Sequence, residues 1–166
     1  MPEYLEKLIK AQKLNNADIV MCRYLRTIKD FDEINKKSRN HKSIQGHYVP
    51  STDMLGVLNL SATAGGKIFK KELLCKEGIE VFPAMKFEDY ATIPYYFALA
   101  NGIEAIDDEM YIWRSRNNST TNQVTYSFDR IRAMEVLTDR FKSNDMFAVY
   151  TEEICQMFLR RCKINE

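Results

Sequence analysis

The feature that most limits what this 166-residue chain can fold into is its opening, where an amphipathic helix runs directly into a buried strand. Over residues 3–15, Tyr4, Leu5, Leu8, Ile9 and Gln12 fall on spacings of three and four with charges between them, and Pro2 stands where a first helical turn tolerates it. Asn15-Asn16 is a helix stop. Ala17-Asp18-Ile19-Val20-Met21-Cys22-Arg23-Tyr24 follows, β-rich and mostly apolar without clean alternation, which suits a strand covered on both faces. A helix feeding such a strand is the middle of a βαβ pattern, so the expectation is an α/β sheet whose preceding strand is missing.

The rest of the chain fits one ordinary globular domain. With 45% hydrophobic residues, disordered and collagen-like classes are excluded. The 24 basic and 23 acidic residues leave a net charge of +1, which lacks the electrostatic footprint of a nucleic-acid binder. Cys22, Cys75, Cys155 and Cys162 form no CxxC frame and read as buried free thiols of a reducing cytoplasm. The first residues carry acids where a signal peptide would be cationic, and no apolar run is long enough for a bilayer.

Residues 25–50 are polar, charge-mixed and without a dominant period, a long excursion. Ser51 or Thr52 is placed to cap a short helix carrying Met54, Leu55, Val57 and Leu58. Ser61-Ala62-Thr63-Ala64-Gly65-Gly66 then permits close backbone approach before Lys67-Ile68-Phe69 and a helix over 70–77. Glu88-Asp89 opens a helix running through Ala100 to a stop at Asn101-Gly102, in which Pro94 predicts a kink or a displaced start. Residues 103–106 and 109–114 read as two short strands joined through Asp107-Asp108, and 115–122 as a polar loop. Amphipathic helices follow over about 128–142 and 145–162.

Four segments occur in an order and spacing that narrow the reading: PEYLEKLIKAQKLNNADIVMCRY, GKIFKKELL, VFPAMKFEDYATIPYYFALA and AIDDEMYIWRSRNNSTTN. Together, over about residues 2–122, they resemble the second half of bacterial family 2 glycosyltransferases, inverting enzymes of the GT-A fold that build surface glycans. The resemblance implies an incomplete Rossmann-like GT-A domain, a mixed sheet flanked by helices, over 1–122, and a C-terminal helical extension over 123–166. The nucleotide-binding strands and the metal-holding DXD motif would lie upstream of Met1, so this chain is expected to be nearly inactive by itself.

Carried onto this sequence, the resemblance makes Asp89 the general base for an acceptor hydroxyl, with Glu88 orienting the acceptor or its neighbour. Acids in a first helical turn also serve simply to complement the helix dipole, and that alternative stays open. Arg114 and Arg116, with Ser119 and Thr121, match a basic segment suited to a leaving diphosphate; a solvated loop is the rival. Lys67 is implied as a lining residue near the sugar, while Lys70 and Lys71 are expected in solvent. A divalent cation, Mg or Mn, belongs to the complete enzyme, and none is expected on this chain.

Several features are set aside. Asp30-Phe31-Asp32 spells DXD but falls after a strand, past where the family carries its metal motif. Asp107-Asp108-Glu109 reads as a turn, because neighbours on a strand diverge. His41 and His47 lack a ligand frame for zinc. Trp113 and Tyr95-Tyr96-Phe97 offer ring faces for sugar stacking but suit a core better. The implied partners are a nucleotide-sugar donor and a surface-glycan acceptor, in the cytoplasm or at the inner face of the membrane, with peripheral membrane association and a homodimer through an exposed sheet edge as further expectations. A non-catalytic domain that binds a glycan or a partner on the same scaffold is the alternative.

Overall fold

The structure is a computed structural model and describes residues 3–27, 43–75, 85–114 and 127–161. The opening is as the pattern requires. Helix α1 (Tyr4–Asn15) ends on Asn16 in the left-handed conformation, and the chain enters β1 (Ile19–Thr27) three residues later. Parallel to β1 runs β4 (Ile103–Arg114), antiparallel to β1 runs β3 (Lys67–Phe69), and antiparallel to β4 runs β2 (Gly46–Tyr48), giving a four-stranded mixed sheet in the order β2-β4-β1-β3. Both edges of that sheet are three-residue strands.

Alternation along β1 divides the molecule. Ile19 and Met21 face a large cluster built with α2 (Met54–Leu58), α4 (Glu88–Leu99), α5 (Ser127–Ser143) and α6 (Phe147–Arg161). Val20 and Cys22 face a small one under α1 with Leu8 and Met110. Because β1 is apolar on both faces it can be covered on both, which explains its lack of polar-apolar alternation. Met134, Leu137 and Phe141 of α5 and Ile154 and Met157 of α6 belong to the same cluster as the sheet and α4. The residues of the expected 123–166 extension therefore share one core with those of 1–122.

The sheet departs from the sequence reading in two places. A single strand, β4, spans the two expected short ones. Cys22 pairs with Ile106 but Arg23 pairs with Glu109, so Asp107 and Asp108 form an extra bulge instead of a turn. Asp107 is held there by Ser43 Oγ and by the Ile44 N–H at 2.9 Å, which keep its carboxyl below the usual range. In the excursion, 46–48 is a strand; three residues carry too little periodicity to be seen.

Other corrections are local. Asp53 caps α2, its Oδ1 accepting from Gly56 N–H at 2.8 Å, where Ser51 or Thr52 was expected. Lys70 is no solvated side chain: its ammonium meets Asn16 O, Asn16 Oδ1 and Asp18 Oδ1, each at 2.9 Å. It precedes the short α3 (Lys71–Leu74), whose Lys71 is exposed. Of the cysteines, Cys22 is buried, but Cys75 and Cys155 are exposed. Helix α4 starts at Glu88 with Pro94 inside it, so the proline does not displace its start. Asp30, Asp32, His41 and Cys162 lie outside the described residues. Among the described residues, no helix is long and apolar enough to cross a membrane.

Candidate active site around Asp89

Helix α4 is apolar on every side, and Ala91 through Ala98 are all buried. Such a helix is fixed in depth, and so is whatever stands on its first turn. Glu88 and Asp89 stand there. The residue before them, Phe87, has φ 60° and ψ 31°, a left-handed conformation that is costly for a bulky side chain. Its ring is gripped on two sides, edge-on by Tyr90 at 5.7 Å between centroids and by the Arg130 guanidinium of α5 at 5.1 Å. One turn further on, Pro94 deprives the helix of a donor. In that region Arg140 Nη1, also from α5, donates to Ala91 O at 3.2 Å and to Thr92 Oγ1 at 3.1 Å. Two arginines of α5 thus hold the start of α4.

Facing that start is the small-residue loop. Lys67 Nζ donates to Thr63 O at 2.6 Å, and Ser61 Oγ lies 3.0 Å from Thr63 Oγ1, so the loop is folded onto itself. Gly66, at φ +76°, turns its carbonyl to accept from Cys22 N–H at 2.9 Å, tying the loop to β1. At Gly65 a Cβ would lie 2.8 Å from the Tyr111 ring, so only glycine lets the loop pass there without moving that ring. The Ala64 amide of this loop lies close enough to the Asp89 carboxylate to favour its charged form.

Burial and the neighbouring Glu88 charge push the Asp89 carboxyl above its ordinary value, against the opposing pull of the Ala64 amide and the Lys67 ammonium. A half-buried carboxylate with a raised pKa, positioned by one N–H and near one cation, accepts a proton more readily than a free one. This is a group equipped for general-base work.

Asp89, Glu88 and Lys67 are therefore brought together. Arg114 is exposed at the far end of β4, in register with Thr27, and Arg116, Ser119 and Thr121 lie outside the described residues. Trp113 meets Tyr24 edge-on at 6.4 Å, while Tyr95, Tyr96 and Phe97 are core. His47 sits on edge strand β2, 3.2 Å from Glu104. Among the described residues no three His, Cys, Asp or Glu side chains gather to hold a metal ion. The sequence reading missed the Ala64 amide, the two arginines of α5 and Arg23. Only Gly65-Gly66 signalled the first; nothing local signalled the others.

The described fold is a mixed α/β one, a four-stranded mixed sheet flanked by helices. Among solved structures the chain is similar to that of Staphylococcus aureus TarS, residues 1–349, in complex with UDP-GlcNAc, with a TM-score of 0.67 and 17% identity over 96% of this chain. The chain spans 44% of the length of that one. At such coverage the shared fold takes in α5 and α6. No family model matches the sequence, and no curated protein matches it.

Proposed function

We propose that this chain is the acceptor-side part of an inverting, nucleotide-sugar-dependent glycosyltransferase of the family 2 kind, with Asp89 as its general base. The observation that carries this reading is the Asp89 carboxylate itself: half-buried, raised in pKa, and standing beside the Ala64 amide on the first turn of a helix whose following residues are buried. The fold likeness to a protein bound to UDP-GlcNAc supports the donor class. Asp89 would take the proton of an acceptor hydroxyl as that oxygen attacks the anomeric carbon from the face opposite the departing nucleoside diphosphate. Glu88 would orient the acceptor. Lys67 would keep the loop closed on Asp89 while lining the site.

Arg114, with Arg116, Ser119 and Thr121, is proposed to meet the leaving diphosphate, where guanidinium groups and hydroxyls neutralise developing charge. A divalent cation, Mg or Mn, would suit the same task in the complete enzyme. The described residues do not form a site for it, so no step here is assigned to it. The acceptor is proposed to be a cell-surface glycan, modified on the cytoplasmic side of the membrane, and a homodimer through the sheet edge belongs to the same reading.

The test is Asp89→Asn in the complete protein. Transfer should fall by about 10²- to 10⁴-fold while nucleotide-sugar binding persists. Undiminished transfer would overturn the assignment in favour of a glycan- or partner-binding domain.

A further inference from the structure

Beside the loop that carries Ala64 lies a cavity of about 310 Å³, on the sheet face shared with α2 and α4. Its walls include Met21 and Leu60, which are apolar, and Arg23, Tyr24, Asn59 and Ser61, which carry polar groups. Arg23 is the next residue after Met21 on that face of β1, at a point where β3 has ended its pairing and the register with β4 breaks on both sides of it. Such irregularities re-aim side chains. The Arg23 side chain is only 17% exposed, and its Nη2 is buried without a hydrogen-bond partner among the described residues. Glu109 lies 3.8 Å away, close enough to offset the charge and too far to accept a hydrogen bond.

A guanidinium with its Nη2 buried and unmet by a hydrogen bond, on the wall of a cavity with a hydroxyl and a phenol, suits a tetrahedral oxyanion. Ser61, which lines the cavity, is three residues, no more than about 11 Å of chain, from Ala64, whose amide influences the Asp89 carboxylate. Asn59 is itself fixed from outside by Arg160 of α6, whose Nη1 donates to its side-chain oxygen.

We propose that this cavity is a phosphate subsite in which Arg23 receives a phosphoryl group carried by one of the substrates. The proposal rests on the glycosyl-transfer reading for what the phosphate belongs to, either the donor diphosphate or a phosphate-bearing acceptor. Arg23 is a binding residue here and takes no part in proton transfer.

Trp113, the one tryptophan of the sequence, contacts Tyr24 of the cavity wall and reports occupancy by its fluorescence. Titrating the 166-residue chain with inorganic phosphate should give a saturable change that Arg23→Gln weakens at least tenfold and Arg23→Lys weakens less, since lysine keeps the charge and loses the fork. Ser61→Ala, which leaves every charge in place, should weaken binding about threefold. Asp89→Asn should leave it unchanged, so failure of the base assignment and failure of this subsite are read separately. Displacement of phosphate by UDP alone assigns the subsite to the donor, and displacement by glycerol 3-phosphate alone assigns it to the acceptor. No saturable change, equal binding by Arg23→Gln, or displacement by neither compound overturns the proposal.

Discussion

Two aspartates of this molecule stand at opposite ends of one electrostatic scale. Asp18, at the entry to β1, accepts from Lys70 Nζ at 2.9 Å and from the backbone and side-chain amides of Asn101, both at 2.8 Å. Burial works against its charge, yet those donors together hold its carboxyl below the ordinary value. Asp89 is also removed from water, but it has the Ala64 amide, a more distant ammonium and an acidic neighbour, and its carboxyl is pushed up. The difference lies in how completely each carboxylate is satisfied. Asp18 joins α1, β3 and the turn before β4, and every lone pair it spends there is structural. Asp89 keeps accepting capacity in reserve, next to a strained Phe87, which is what a site that must still bind something requires.

The comparison breaks most visibly under substitution. Asp89→Asn should cost the complete enzyme about 10²- to 10⁴-fold in transfer while changing the melting temperature little, measured by turnover and thermal unfolding side by side. Asp18→Ala should do the reverse, lowering stability by about 3 kcal/mol, because Lys70 and the Asn101 amide lose a buried partner. Denaturant unfolding measures that loss. If the two profiles were alike, the division between a structural and a chemical carboxylate would fail.

Smaller effects sharpen it. Gly65→Ala brings a Cβ against Tyr111, which is 37% exposed and can swing, so stability should fall by about 1 kcal/mol or less. The displaced loop should still weaken transfer by about tenfold, and Tyr111→Ala in the same chain should restore it. Kinetics of the single and double variants test this coupling.

The pH dependence of stability should carry opposite signs at the two sites. A lowered carboxyl such as Asp18 contributes stability above its unfolded pKa of about 3.9, and that contribution is lost as pH falls through the folded value. A raised carboxyl such as Asp89 favours the protonated fold and costs stability once pH rises above the unfolded value. Accordingly Asp18→Asn should flatten the acid limb of stability, whereas Asp89→Asn should gain stability at neutral pH and nothing below pH ~4. Denaturant midpoints between pH 3 and 8 measure both.

The elements legible from the chain are those whose signal is long or doubly determined. Helix α1 with its Asn16 stop, strand β1, helix α4 from Glu88 to Leu99 and the two amphipathic helices α5 and α6 each repeat a period over two or more turns or end at a capping residue. What escaped was short or non-local. Three residues of β2 cannot show a period. The bulge at Asp107-Asp108 resembles a turn until β1 is seen to pair on both sides of it. Asp53 outcompeted Ser51 and Thr52 as a cap because its carboxylate alone reaches the Gly56 N–H. Lys70 looked like any surface lysine because its partners lie 52 and 54 residues away.

The sequence by itself determined that Glu88-Asp89 opens a helix, that Tyr95-Tyr96-Phe97 on it suit a core, and that Gly65-Gly66 permits close backbone approach, since these are properties of spacing and of side-chain type. Only the tertiary structure decided that the close segment brings its Ala64 amide near Asp89, that Arg130 and Arg140 grip the helix start from α5, and that Arg23 lines a cavity with its Nη2 unmet by a hydrogen bond among the described residues. The physical reason is that burial and hydrogen-bond satisfaction are sums over neighbours distant in the chain. A carboxylate's proton affinity is set by those sums, and no local stretch of sequence contains them.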